Sequence, residues 1–211
     1  MTGTKPQHAP QIHFPVVDDV LQVGGIPLTR LAQRVGRTPF FALDRAVCSE
    51  RVAALRAVLP PDVALHYSIK ANPMPALVQH MAGLVDGLDV ASSGELKTAL
   101  DTGTDPARIS FAGPAKTDAE LTQAIAAGVC LNAESEHELE RAARIGEALG
   151  IAPRVALRIN PTFELKSSGM RMGGGAKPFG IDAELAPAAL RRVAALGLDF
   201  QGFHIFSGSQ S

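Results

Sequence analysis

From residue 40 onward, short runs of β-branched and other apolar residues alternate with Ala-, Leu- and Arg-rich stretches whose apolar positions recur at helical spacing. This alternation predicts strands over 40–44, 64–71, 88–92, 109–113, 129–134, 154–160 and 201–209, and helices over 49–59, 75–82, 93–101, 118–127, 136–149 and 185–196. Helix starts are marked by Ser93 with Glu95, by Thr117-Asp118, and by Ser135 with Glu138 three residues on as a capping box. Gly103, Gly128, Gly150 and Gly197 each follow a helical run, where a left-handed closing residue belongs.

Strand, helix, strand repetition calls for a parallel sheet with crossover helices. Strand starts recur roughly every 20 to 25 residues and no GxGxxG follows any strand, so the expected fold class is α/β, a (β/α)8 TIM-like barrel rather than a dinucleotide-binding sheet. The Gly/Ser/Met-rich stretch 166–177 lengthens the last interval and reads as a solvent loop, since no Lys-Ser/Thr follows a correctly spaced glycine pair. Residues 1–38 read as an N-terminal segment and 39–211 as an incomplete barrel. The 211 residues end just after a strand, short of the roughly 250 that a closed barrel takes, which gives the expectation of the front part of a longer protein, truncated before closure.

Composition narrows the function classes. With 46% hydrophobic and 19% charged residues the chain can bury a core. Twenty Lys+Arg against 21 Asp+Glu, interspersed, together with no Trp and one Tyr, offer nucleic acid neither a basic footprint nor stacking rings. The apolar runs are too short for a membrane span, and the polar start lacks the features of a signal peptide, so a cytoplasmic protein is expected. Cys48 and Cys130 suggest buried hydrophobes in a reducing compartment, and no metal-ligand spacing is present.

The candidate chemistry sits at strand ends. In Leu65-His66-Tyr67-Ser68-Ile69-Lys70, period two places His66, Ser68 and Lys70 on one face, with Lys70 at the carboxyl end before the strand-breaking Asn72-Pro73. A lysine desolvated inside a barrel is available as a free amine that adds to a carbonyl, while the plain alternative is a lysine snorkelling to solvent. Asp89 closes the next strand, either to hold a polar group or to cap a helix. Arg158, flanked by apolar residues, calls for an anionic or aromatic partner. His204 and Phe206 share a face ahead of Gly208-Ser209, where backbone N–H groups suit a phosphate. An amine, a guanidinium, a ring and an anion turn at one barrel mouth suit a phosphorylated aldehyde, of which pyridoxal phosphate is the leading candidate.

The motifs Tyr67-Ser68-Ile69-Lys70-Ala71-Asn72-Pro73, Leu88-Asp89-Val90-Ala91-Ser92-Ser93-Gly94-Glu95-Leu96, Asn132-Ala133-Glu134-Ser135-Glu136-His137-Glu138-Leu139, Leu157-Arg158-Ile159-Asn160-Pro161 and Phe179-Gly180-Ile181, with the run Gly202 to Gln210, fall in a recognisable order and spacing. Together they resemble the barrel domain of the ornithine/diaminopimelate/arginine decarboxylases, of the alanine racemase type of barrel, over nearly the whole chain. The resemblance implies fold-type III pyridoxal phosphate chemistry, with Lys70 as the Schiff-base lysine and Asp89, Glu95 and Arg158 around it. It places Gly208 and Ser209 in the phosphate turn, with His204 nearby. The stretch Ser168 to Gly175 with Lys177-Pro178-Phe179-Gly180 looks like the exosortase-associated branch. One departure stands out: Phe206 occupies the place where the family puts a histidine that stacks on the cofactor, and His204 falls on the outer histidine position.

The leading expectation is therefore a carbon-carbon lyase, a pyridoxal-phosphate-dependent decarboxylase of a diaminopimelate- or ornithine-like amino acid, dimeric at full length. A separate β domain carrying further substrate and proton-donating groups would lie beyond this chain, leaving residues 1–211 alone inactive. Two other classes stay open: a non-catalytic pyridoxal phosphate carrier or regulator, and a cofactor-free Schiff-base aldolase.

Overall fold

A computed structural model describes residues 12–163, 170–171, 178–206 and 208–209. The chain forms two compact units, Met1–Val63 and Ala64–Ser211. In the first, β1 (Val16–Val17), β2 (Val20–Val23) and β3 (Ile26–Pro27) make an antiparallel meander, followed by α1 (Leu28–Val35) and α2 (Arg45–Val58). Both hairpins use two-residue loops with positive φ at each position, Asp18-Asp19 (49° and 59°) and Gly24-Gly25 (59° and 71°), the twist that joins antiparallel strands directly. The strand predicted over 40–44 does not form. Asp44 is extended (φ −99°, ψ 115°), but its carboxylate accepts the Ala46 N–H at 2.8 Å and caps α2, so this stretch leads into a helix instead of joining a ladder.

The second unit is a run of parallel β/α repeats. Its elements are β4 (His66–Ser68), α3 (Pro75–Ala82), β5 (Gly87–Val90), α4 (Ser93–Asp101), β6 (Ile109–Phe111), α5 (Asp118–Ala127), β7 (Cys130–Ala133), α6 (Glu136–Leu149), β8 (Arg154–Asn160), β9 (Met170–Arg171), β10 (Ile181–Asp182), α7 (Ala186–Ala195), β11 (Asp199–Ile205) and β12 (Gly208–Ser209). Strands β4 to β8 pair in chain order, and β11 runs parallel to β8. Ile159 pairs with both Ile181 and Ile205, so β10 and β11 lie on the two edges of β8, and β10 prolongs the edge that β7 leaves after Ala133.

The helix bounds follow from the terminal signals. Thr117 and Glu120 form a full capping box, and Gly128 and Gly150 close α5 and α6 at φ 80° and 68°. The first cap of α4 is Ser92 rather than Ser93, its Oγ accepting from Glu95 N. Ser135 caps α6 by accepting from Glu138 N, but the predicted capping box is incomplete: Lys116 and the Glu134 amide draw the Glu138 carboxylate away.

Period two divides the sheet into an apolar outer face and a polar inner one. Leu88, Val90, Ile109, Phe111, Leu131, Ala133, Val155, Leu157 and Ile159 form one buried cluster with Val78, Leu96, Leu121, Ile125, Leu139 and Val193 of the helices. The alternate positions, His66, Asp89, Ser110, Asn132 and His204 among them, line a groove of about 300 Å³ on the other face. Polar groups on that face cannot pack against a second helix layer, so the sheet curls around them.

At Gly87 the neighbouring strands leave room for a hydrogen only. A Cβ there would stand 2.3 Å from the Arg108 carbonyl oxygen and 2.5 Å from the His66 ring. We therefore expect Gly87→Ala to destabilise the fold by about 1–3 kcal/mol through overpacking, read as a lowered urea midpoint at unchanged slope.

Candidate active site

Lys70 lies in a short 3-10 turn, Ile69–Ala71, immediately after β4. The strand predicted over 64–71 is thus shorter, and Lys70 does not continue the His66/Ser68 face, because the turn re-aims it. The backbone here is pinned: Ile69 is fully buried, Tyr67 Oη donates to the Asn72 carbonyl at 3.0 Å, and Asn72 Oδ1 accepts from Met74 N at 3.1 Å. The expectation of a desolvated lysine is corrected, since Lys70 is exposed. Among the described residues β4 pairs with β5 alone, which leaves its other edge open beside the turn.

Even so, the amine is aimed across the barrel mouth. Lys70 Nζ lies 5.8 Å from the centroid of Phe206, and Arg158 Cζ lies 5.9 Å from the same ring. Lys70 follows β4 and Phe206 follows β11, the two ends of the parallel sheet. Flat strands at about 4.8 Å spacing would hold those ends on the order of 24 Å apart. Their meeting at one ring is the geometric signature of a sheet curling toward closure.

Arg158 acquires both kinds of partner that its apolar flanks call for. Its Nη1 donates to Glu134 Oε1 at 2.8 Å, with both side chains buried, and its guanidinium packs 4.9 Å from the Phe179 ring. Glu134 also accepts the Gly113 N–H at 2.7 Å on Oε1 and the Gly180 N–H at 3.2 Å on Oε2. Glu134 was not among the candidates picked from sequence, although an acid directly after the strand Cys130–Ala133 stands at the same strand-end position as the residues that were. Close by, the buried Lys116 ammonium donates to Glu138 at 2.6 Å, Gly113 O at 2.7 Å and Asn132 O at 2.9 Å. Burial pushes the Glu138 carboxyl up despite this lysine.

Asp89 lies half-exposed on the inner face, where its carboxylate accepts from Ser110 Oγ and stands 4.0 Å from His66 Nδ1. Among the described residues it makes no ion pair with Lys70. Glu95 accepts the Ala91 N–H at 2.8 Å and so shapes the turn from β5 into α4. His204 pairs in register with Arg158 and its Nδ1 is buried without a hydrogen-bond partner. Gly208-Ser209, read as a turn, forms a two-residue antiparallel pair with Met170–Arg171, a partner supplied by the inserted stretch; the rest of 166–177 lies outside the described residues. Cys130 borders the inner groove, and burial raises its thiol pKa, which fits a packing role.

These residues fit pyridoxal phosphate in two respects, a primary amine for its aldehyde and a phenyl face for its pyridine. Among the described residues, no group of three or more His, Cys, Asp and Glu is arranged to hold a metal, and no helix is long and apolar enough to cross a membrane.

Comparison with known proteins agrees with the cofactor. Residues 45–211 match the family described as pyridoxal-dependent decarboxylase, pyridoxal binding domain. The diaminopimelate decarboxylase of Aquifex aeolicus is 36% identical over 196 residues, covering 92% of this chain and 46% of that protein. The L-glutamyl-[BtrI acyl-carrier protein] decarboxylase of Niallia circulans is 33% identical over 186 residues, covering 87% and 43%. Among solved structures, diaminopimelate decarboxylase from M. jannaschii with L-lysine superposes with a TM-score of 0.82 at 26% identity, covering 94% of this chain and 48% of that one. The chain thus spans about half the length of the curated relatives it matches.

The half-buried His204 gives a pH prediction. Burial lowers its pKa, and the nearby Arg158 charge adds to the effect, outweighing Asp89 and Glu134. The folded state therefore keeps this ring neutral where the unfolded chain takes up a proton. Stability attributable to His204 is present above the ordinary histidine value of about 6.5 and lost as pH falls below it toward the lowered folded value. Thermal unfolding at pH 7.5 and 5.5 is expected to show a larger fall for the parent protein than for His204→Gln.

Proposed function

The chain belongs to the pyridoxal-dependent decarboxylase family through its pyridoxal-binding domain, and from that membership and the site we propose that the whole protein decarboxylates an amino acid of the diaminopimelate or ornithine kind. The observation that carries the reading is the convergence of Lys70 and Arg158 on the Phe206 ring at the carboxyl ends of the strands. Diaminopimelate decarboxylases recur among the relatives, which favours a small diamino acid as substrate. The acyl-carrier-linked substrate of the Niallia protein marks the range of the family. We further propose a homodimer, with Lys70, Asp89, Arg158, His204, Phe206, Gly208 and Ser209 as the cofactor-binding set.

Pyridoxal phosphate, when bound, supplies an aldehyde and an electron-accepting ring. The chain's own residues do the rest. Lys70 presents its amine from a turn whose backbone is fixed by Ile69 and Tyr67, and its exposure leaves room for a substrate amine beside it. Phe206 offers a flat apolar face and holds no proton. Arg158, paired with Glu134, keeps its charge within reach of that face without presenting an uncompensated cation. Asp89, held by Ser110, places a carboxylate on the inner wall near His66.

Borohydride reduction of the full-length protein incubated with pyridoxal phosphate is expected to leave a pyridoxyl mass on the peptide containing Lys70. Lys70→Ala should abolish the label and reduce CO2 release from diaminopimelate to background. Labelling of Lys70 without CO2 release from any basic amino acid would overturn the decarboxylase reading in favour of a cofactor carrier.

A further inference from the structure

Glu134 is the most heavily engaged buried acid of the barrel mouth, and the cofactor-binding set above does not include it. Its two oxygens accept from three strand-end segments: Gly113 after β6, Arg158 within β8, and Gly180 ahead of β10. Each donor is itself constrained. The Gly113 carbonyl is held by Lys116 Nζ at 2.7 Å, so both polar groups of that residue are committed to buried charges. Gly180 has φ 77°, and a Cβ there would stand 3.0 Å from the Arg158 carbonyl oxygen, so only glycine brings its amide this close to the strand. The Glu134 backbone is tied as well, its N–H donating to Glu138 Oε2 at 3.4 Å while Lys116 holds the other Glu138 oxygen.

A carboxylate fixed at so many points does more than neutralise a neighbour. Arg side chains carry several rotatable bonds and ordering them has an entropic cost. Here the guanidinium is located by one short ionic hydrogen bond at Nη1 and by the Phe179 ring at 4.9 Å, which together fix its position and its plane. From that position it faces Phe206. We infer that Glu134 is a positioning residue that acts through Arg158, setting the guanidinium against the aromatic seat of the cofactor. The inference rests on the proposed function, because it takes Arg158 as part of the cofactor site. The Gly113 and Gly180 amides aim the carboxylate, and Lys116 with Glu138 fixes the backbone from which it projects.

A double-mutant cycle on the full-length protein tests this, with pyridoxal phosphate affinity read from the absorbance of the bound cofactor and folding read from thermal unfolding. Glu134→Gln is expected to weaken cofactor binding at least tenfold, as is Arg158→Met. Adding Glu134→Gln to Arg158→Met should change affinity less than twofold, because no guanidinium remains to be positioned. Wild-type affinity in Glu134→Gln, or a further tenfold loss in the double variant, would overturn the inference. Should Glu134→Gln fail to fold through its stranded arginine charge, Arg158→Met and the double variant still decide: equal affinities support positioning, and another tenfold loss refutes it. Wild-type protein that takes no pyridoxyl label at Lys70 sinks the proposed function and this inference with it. Labelled wild type with additive variants sinks this inference alone.

Discussion

The inward curl of one parallel sheet is the constraint from which the site follows. Its outer face is apolar and packs against the helices, while its inner face carries His66, Asp89, Ser110, Asn132 and His204. A second helix layer on that inner face would bury those groups without partners, which costs about 1–3 kcal/mol for each unsatisfied group. Curvature lets several strand-borne groups satisfy one another instead: Ser110 donates to Asp89 on the neighbouring strand, and Arg158 reaches Glu134 across β7 and β8. The same curvature carries the turn after β4 to the ring after β11.

Two buried ion pairs hold the mouth of this sheet, and they are chained rather than separate. Lys116 with Glu138, and Arg158 with Glu134, meet at the Glu134 backbone and at Gly113. Buried pairs seldom add net stability, because desolvation offsets attraction, but breaking one costs about 3–5 kcal/mol. Their value here is in specifying geometry.

Much of this was legible from the sequence. The strand at Arg154–Asn160 and four helices, Pro75–Ala82, Ser93–Asp101, Asp118–Ala127 and Glu136–Leu149, have the predicted bounds, because periodicity, caps and closing glycines agree there. The meander of residues 16–27 escaped the reading because its strands are two to four residues long, though its two-residue Asp-Asp and Gly-Gly loops are hairpin signals. Lys70 was found by position but not by environment: an extended pattern through Ile69 gave no warning of a 3-10 turn, and exposure depends on which strands flank β4. Glu134 was missed because its role comes from donors 21, 24 and 46 residues away, distances at which sequence spacing carries no information.

Phe206, where the resemblance implies a histidine, differs from an imidazole less in charge terms than in hydrogen-bonding terms. An imidazole at that position would stand between Lys70 and Arg158, where a proton on the ring would face two cations. His204, two residues back in the same strand, already has its pKa lowered by burial and by Arg158. The phenyl ring at 206 carries no charge and keeps a flat face between the two cations. What the phenyl lacks is a donor or acceptor at the ring edge.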